Sequence, residues 1–71
     1  MMSSEDSLSR AEDLLARLEA ARGELDRLAR EEGGSPERAL EILGELSELA
    51  KGVEEELERA KRAAEADAQA S

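Results

Sequence analysis

The stretch Glu31-Glu32-Gly33-Gly34-Ser35-Pro36-Glu37 holds a helix stop followed at once by a helix start. Gly33 or Gly34 takes the left-handed conformation that closes a helix at little steric cost. Ser35 offers a cap to the next helix, Pro36 suits its first position, and Glu37 sits favourably at the positive end of the helix dipole. A connection this short sets the two helices antiparallel and side by side. Upstream, Ser9-Arg10-Ala11-Glu12 matches a capping box, with Ser4 and Ser7 as earlier possible starts. The expected organisation is a disordered N-terminus over 1–6, a helix over 7–32, a turn over 33–35, a helix over 36–66 and a frayed tail over 67–71.

The composition agrees with helices throughout. Eleven Leu and thirteen Ala stand among many Glu and Arg, with one Ile, one Val and one Pro in 71 residues. Ala, Leu, Arg and Glu are strong helix formers, and the β-branched and aromatic residues that favour strands are almost missing. No apolar run approaches the roughly 20 residues of a membrane span, so no membrane partner is expected. Met1-Met2-Ser3-Ser4-Glu5-Asp6 is followed by neither a basic run nor an apolar stretch, which removes the pattern of a secretory leader and leaves a cytoplasmic setting as the expectation.

Missing residue types exclude whole classes of chemistry. The chain has no Cys, His, Trp, Tyr or Phe, and 19 acidic residues against 10 basic ones give a net charge of −9. Without Cys there is no disulfide, zinc finger or thiol nucleophile; without His, the usual metal ligand and general base are gone. Base-stacking platforms need aromatic rings, and phosphate binding needs Lys and Arg in excess, so direct nucleic-acid binding is not expected. Glu54-Glu55-Glu56 with Glu58 reads as a solvated acidic face, because consecutive helical residues point around the helix and not at one ion. Ser47 and Lys51 sit one turn apart on an exposed helix, a spacing too common to mark a catalytic pair. No catalytic residue, metal site or cofactor is expected.

Apolar spacing describes what the helices bury. In the first, Leu8, Ala11, Leu15, Leu18, Leu25 and Ala29 follow steps of three and four, with Arg22 in one slot; Leu14, Ala21 and Leu28 form an adjacent row. In the second, Ala39, Leu43, Leu46, Ala50, Val53, Leu57, Ala60 and Ala64 keep the spacing unbroken, with Ile42 and Leu49 alongside. These steps are a heptad seam and predict left-handed coiled-coil packing. The fold class is therefore all-α: an antiparallel two-helix coiled-coil hairpin, spectrin-repeat-like, completed by a partner or by self-association. The extra rows make each stripe wider than one seam needs. A chain this short without disulfide or metal usually needs a partner or a second copy. The adjacent row, with Leu14, Leu28, Ile42 and Leu49, is expected to dock on other helices.

The charges are read as support. Asp6–Arg10, Asp13–Arg17, Asp26–Arg30, Glu55–Arg59 and Glu58–Arg62 are acid-first i,i+4 pairs worth about 0.2–0.5 kcal/mol each. Glu37, Glu41, Glu45 and Glu48 form a row without following basic partners, read as a solubilising face with a basic partner surface as the alternative. Gly23, Gly44 and Gly52 lie off the seam and are read as neutral.

From Ser35-Pro36-Glu37-Arg38-Ala39-Leu40-Glu41-Ile42-Leu43, through Glu48-Leu49-Ala50-Lys51 to Leu57-Glu58-Arg59-Ala60, the chain resembles the small subunit of exodeoxyribonuclease VII. Leu18-Glu19 followed by Leu25 looks like the first-helix element of that family, and the matched regions cover half to two-thirds of the chain. The resemblance implies a helical hairpin without catalytic groups of its own, bound in several copies to a helical region of a nuclease large subunit that degrades single-stranded DNA to oligonucleotides. On this reading Leu18, Leu25, Leu43, Leu46, Leu49, Ala50, Val53 and Leu57 form the partner-docking set. The alternatives are a self-associating helical-bundle protein and an acidic adaptor or nucleic-acid mimic.

Overall fold

The computed structural model describes residues 3–70, which form two helices, α1 (Ser4–Arg30) and α2 (Pro36–Ala70). They fold back on each other as a hairpin 59 × 14 × 14 Å in extent, with no strand among the described residues. The all-α hairpin expected from the sequence is the observed architecture.

Both helices run beyond the expected limits at the open end. Ser3 caps α1: its side chain accepts from the Asp6 N–H at 3.2 Å while the Asp6 carboxylate accepts from the Ser3 N–H at 3.4 Å. This capping box lies well ahead of Ser9–Glu12. Residues 4–6, expected to be disordered, are therefore the first turn of α1; Met1 and Met2 lie outside the described residues. Likewise α2 continues past residue 66, because Ala, Glu and Gln all favour helix and nothing in Asp67-Ala68-Gln69-Ala70 stops it. Ser71, the remainder of the expected frayed tail, is outside the described residues.

The turn is built as its residues demand, with one shift. α1 stops at Arg30, two residues early, because Glu31 is already extended and gives its N–H to the carbonyls of Arg27 and Leu28. Gly33 then takes a φ of +78°. Gly34 packs so closely on the end of α1 that a Cβ there would sit 2.7 Å from the Leu28 carbonyl oxygen. Ser35 caps α2, its hydroxyl accepting from the Arg38 N–H at 3.2 Å.

The seam between the helices consists of Ser7, Ala11, Leu14, Leu18, Ala21, Leu25 and Leu28 on α1. On α2 it is Ala39, Ile42, Leu46, Leu49, Val53, Glu56, Ala60 and Ala63. All of these are buried or half-buried, and Ile42 is wholly inaccessible. The steps alternate four and three without a fault, the signature of knobs-into-holes packing. Arg10 reaches Glu56, and Leu14 lies against Gly52. That register sets Leu14 level with Val53, Leu18 with Leu49, Ala21 with Leu46 and Leu25 with Ile42. It also leaves the end of α2 overhanging α1, and residues 64–69 are all exposed.

This seam corrects the expected one. Leu14, Leu28, Ile42 and Leu49, read as a row for other helices, close the hairpin itself. Leu8, Leu15, Leu43 and Leu57, read as seam, are exposed. Ala11, Leu18 and Leu25 on α1, and Ala39, Leu46, Val53 and Ala60 on α2, belong to both patterns, so steps of three and four fit either neighbour row.

Candidate functional site

The two flanks of the seam differ in kind. On one, Arg10 and Arg17 of α1 face Gly52 and Arg59 of α2 across a shallow groove, which continues to Glu24, Arg38 and Glu45. Each of these side chains stands one residue before a seam residue. In an antiparallel coiled coil, equivalent heptad positions of the two helices share a flank. The residues one after the seam, Leu8, Leu15 and Arg22 on α1 with Leu43, Ala50 and Leu57 on α2, therefore share the opposite flank.

The charged flank is knit together. Both ion pairs that cross between helices among the described residues lie there. Arg38 donates to Glu24 at 2.8 Å and to Glu41 at 3.1 Å, and Arg10 donates to Glu56 at 3.0 Å. The hydrogen bonds that Arg38 donates, first to Glu24 and then to Glu41, raise its pKa above the ordinary value. Glu41 thus has a basic partner on its own helix and is not part of an unanswered acidic row.

Glu56 is the correction on this flank. Read as part of a solvated face, it is only 4% exposed and occupies a seam position level with Ala11, whose small side chain leaves the space. Arg59 and Arg10 hold its two oxygens, and no buried side-chain nitrogen or oxygen among the described residues lacks a partner. The hydrogen bond from Arg59 is the main cause that lowers the Glu56 pKa, with attraction to Arg59 and Arg10 acting the same way against the opposing effect of desolvation. Its spacing, three residues after Val53 and four before Ala60, marks it as a seam residue only once the row of Ile42 and Leu49 is known to face α1. Of the five expected i,i+4 pairs only Glu58–Arg62 forms, at 3.7 Å; Asp6–Arg10 and Glu55–Arg59 are replaced because Asp6 turns to capping and both Arg10 and Arg59 turn to Glu56.

The other flank is apolar and uncovered. Leu8, Leu15, Leu43 and Leu57 are each 45–49% exposed, and no ion pair crosses between the helices on this side among the described residues. The expected docking residues separate accordingly. Leu43, Ala50 and Leu57 stand on the open flank; Leu18, Leu25, Leu46, Leu49 and Val53 lie in the seam, facing the other helix. Leu8 and Leu15, absent from that set, complete the flank from α1.

What the described residues present is a surface, with a charged groove on one flank of the seam and an apolar strip on the other. Among the described residues no group of three or more acidic side chains is placed to hold a metal ion. Nor is any helix long and apolar enough to cross a membrane. No family model, curated protein or solved structure matches the chain.

Proposed function

We propose that this chain is a non-catalytic docking subunit, the small subunit of an exodeoxyribonuclease VII-type enzyme, which binds and supports helices of the nuclease large subunit. One observation carries the docking part. The row left outside (Leu8, Leu15, Ala29, Leu43, Ala50, Leu57, Ala64, with Arg22) is as apolar as the row buried in its place (Ser7, Leu14, Ala21, Leu28, Ile42, Leu49, Ala63, with Glu56). A helix with two apolar flanks around a shared central row suits a bundle of more than two helices. The resemblance in Ser35–Leu43 and Glu48–Ala60 supports the choice of enzyme. Single-stranded DNA degradation would then lie with the large subunit, in keeping with a net charge of −9 and no His here.

The test is co-expression with an exodeoxyribonuclease VII large subunit. The expected result is a complex that co-purifies and degrades single-stranded DNA, with the chain alone inactive. A large subunit that is soluble and fully active alone, and leaves this chain in the flow-through, would overturn the nuclease assignment.

A further inference from the structure

We infer that the flank carrying Leu8, Leu15, Leu43 and Leu57 seats one amphipathic helix of another protein, whose apolar stripe is edged with Lys or Arg where it lies over α1. The inference rests on the docking part of the reading above and not on the identity of the enzyme. Its occupant is specified by charge. Beyond the Leu row, the outer edge of α1 presents Glu5, Glu12, Glu19 and Asp26, one carboxylate per heptad. All four are exposed and none makes an ion pair. The matching edge of α2 is Leu40, Ser47, Glu54 and Lys61, where Leu40, 68% exposed, widens the apolar surface near the turn.

A rail of unpaired carboxylates beside a strip of Leu is complementary to a basic-edged helix and repels an acidic one. A second copy of this chain is an acidic one: it brings the same rail and a net charge of −9 against −9. The strip from Leu8 to Arg22, opposite Leu43 to Leu57, is about 21 Å long at 1.5 Å per residue, so four turns of helix cover it. Arg22 closes the strip near the turn, where the partner would need a polar or acidic residue in place of an apolar one.

The probe is a pair of synthetic helical peptides of about 21 residues with the same Leu stripe, one edged with Lys and Arg and the other with Glu. Each is titrated against the full chain at physiological salt by fluorescence anisotropy. Only the basic-edged peptide is expected to bind. Leu15→Gln with Leu57→Gln should weaken it by about tenfold or more while helicity is retained, since both side chains are already half exposed. Glu12→Gln with Glu19→Gln should weaken it several-fold, and Arg17→Gln on the opposite flank should leave it unchanged. Failure of the basic peptide to bind, or equal binding by the double-Leu variant, would overturn the proposal. So would a dimer of the chain alone, seen by sedimentation equilibrium and dissolved by those Leu changes, because the occupant would then be a second copy. The two readings fail separately. Peptide binding as expected without a nuclease complex removes only the enzyme assignment; a nuclease complex indifferent to Leu15→Gln and Leu57→Gln removes only this flank.

Discussion

Near the turn the seam is filled by large apolar side chains; toward the open end it is filled by small and charged ones. The turn half sets Leu18 level with Leu49, Ala21 with Leu46, Leu25 with Ile42 and Leu28 with Ala39. The open half sets Leu14 level with Val53, then Ala11 with Glu56 and Ser7 with Ala60. Contacts beside a tight turn close the shortest loops and so lose the least chain entropy. Apolar weight placed there stabilises the pairing where closure is easiest. The open half gains much less from apolar burial and relies on helix propensity, the Ser3 capping box and the Glu56 cluster to hold its course.

The strongest way to break this contrast is Ile42→Ala. Ile42 is fully buried, and truncating such a side chain costs about 2–5 kcal/mol. A chain of this size has a total stability of only about 4–11 kcal/mol, so the variant should lose much of its helical circular dichroism well below the melting temperature of the parent. Leu14→Ala, half-buried in the open half, should cost about half as much. Equal losses at the two positions would mean that the halves are not energetically distinct.

What was legible in the sequence follows the same line. The turn was readable because Gly33, Gly34, Ser35 and Pro36 each act through their own backbone chemistry, which does not depend on the rest of the fold. The helices and their heptads were readable from composition and spacing. The side of each helix that meets the other was not. Ala11, Leu18 and Leu25, with Ala39, Leu46, Val53 and Ala60, fit a seam with either neighbouring row, and those rows are equally apolar. What distinguishes them is a contact between the two helices. Burying Glu56 is tolerable only because Arg10, far away in sequence, stands beside it with Arg59. Within a run of glutamates Glu56 looks like surface until the partner helix is in place. The split of the docking set follows from that ambiguity, since Leu49 and Ala50, consecutive in sequence and about 100° apart around the helix, cannot both face the same neighbour.

Glu56 also gives the next test of the contrast. Replacing a buried, ion-paired carboxylate with an apolar side chain is often neutral or stabilising, provided the freed partners reach water. Arg10 and Arg59 are about half exposed and can do so. Glu56→Leu should therefore raise the melting temperature by roughly 5–10 °C and make the open half resemble the turn half. Glu56→Gln keeps the shape and removes the charge, and should lower the melting temperature at neutral pH. Its pH dependence has a definite sign. The Glu56 pKa is lowered on folding, so its ionised form stabilises the hairpin above the unfolded value of about 4.5. That contribution disappears as pH falls through the lower folded value. The gap between parent and Glu56→Gln melting temperatures should be widest at neutral pH and vanish in acid; a constant gap would show that the ion pairs contribute nothing.

The smallest effects concern glycines, and there the two halves separate by sign. Gly23 and Gly44 sit on the outer surface of the turn half, level with each other, and a Cβ at either would meet nothing within 4 Å. Ala at each should stabilise by about 0.5–1 kcal/mol through helix propensity alone, a gain that thermal melts resolve. Gly52, toward the open half, is different. A Cβ there would lie 3.1 Å from a terminal methyl of Leu14, so that side chain must give way by a few tenths of an ångström. The propensity gain and the displaced contact then nearly cancel, and Gly52→Ala should change stability by under about 0.5 kcal/mol. Should Gly52→Ala stabilise as much as Gly44→Ala, Leu14 is loosely held and the open half is softer than its seam residues imply. Clear destabilisation would instead mean that Leu14 is fixed in place, and that apolar packing extends further from the turn than the change from Leu and Ile to Ser, Ala and Glu suggests.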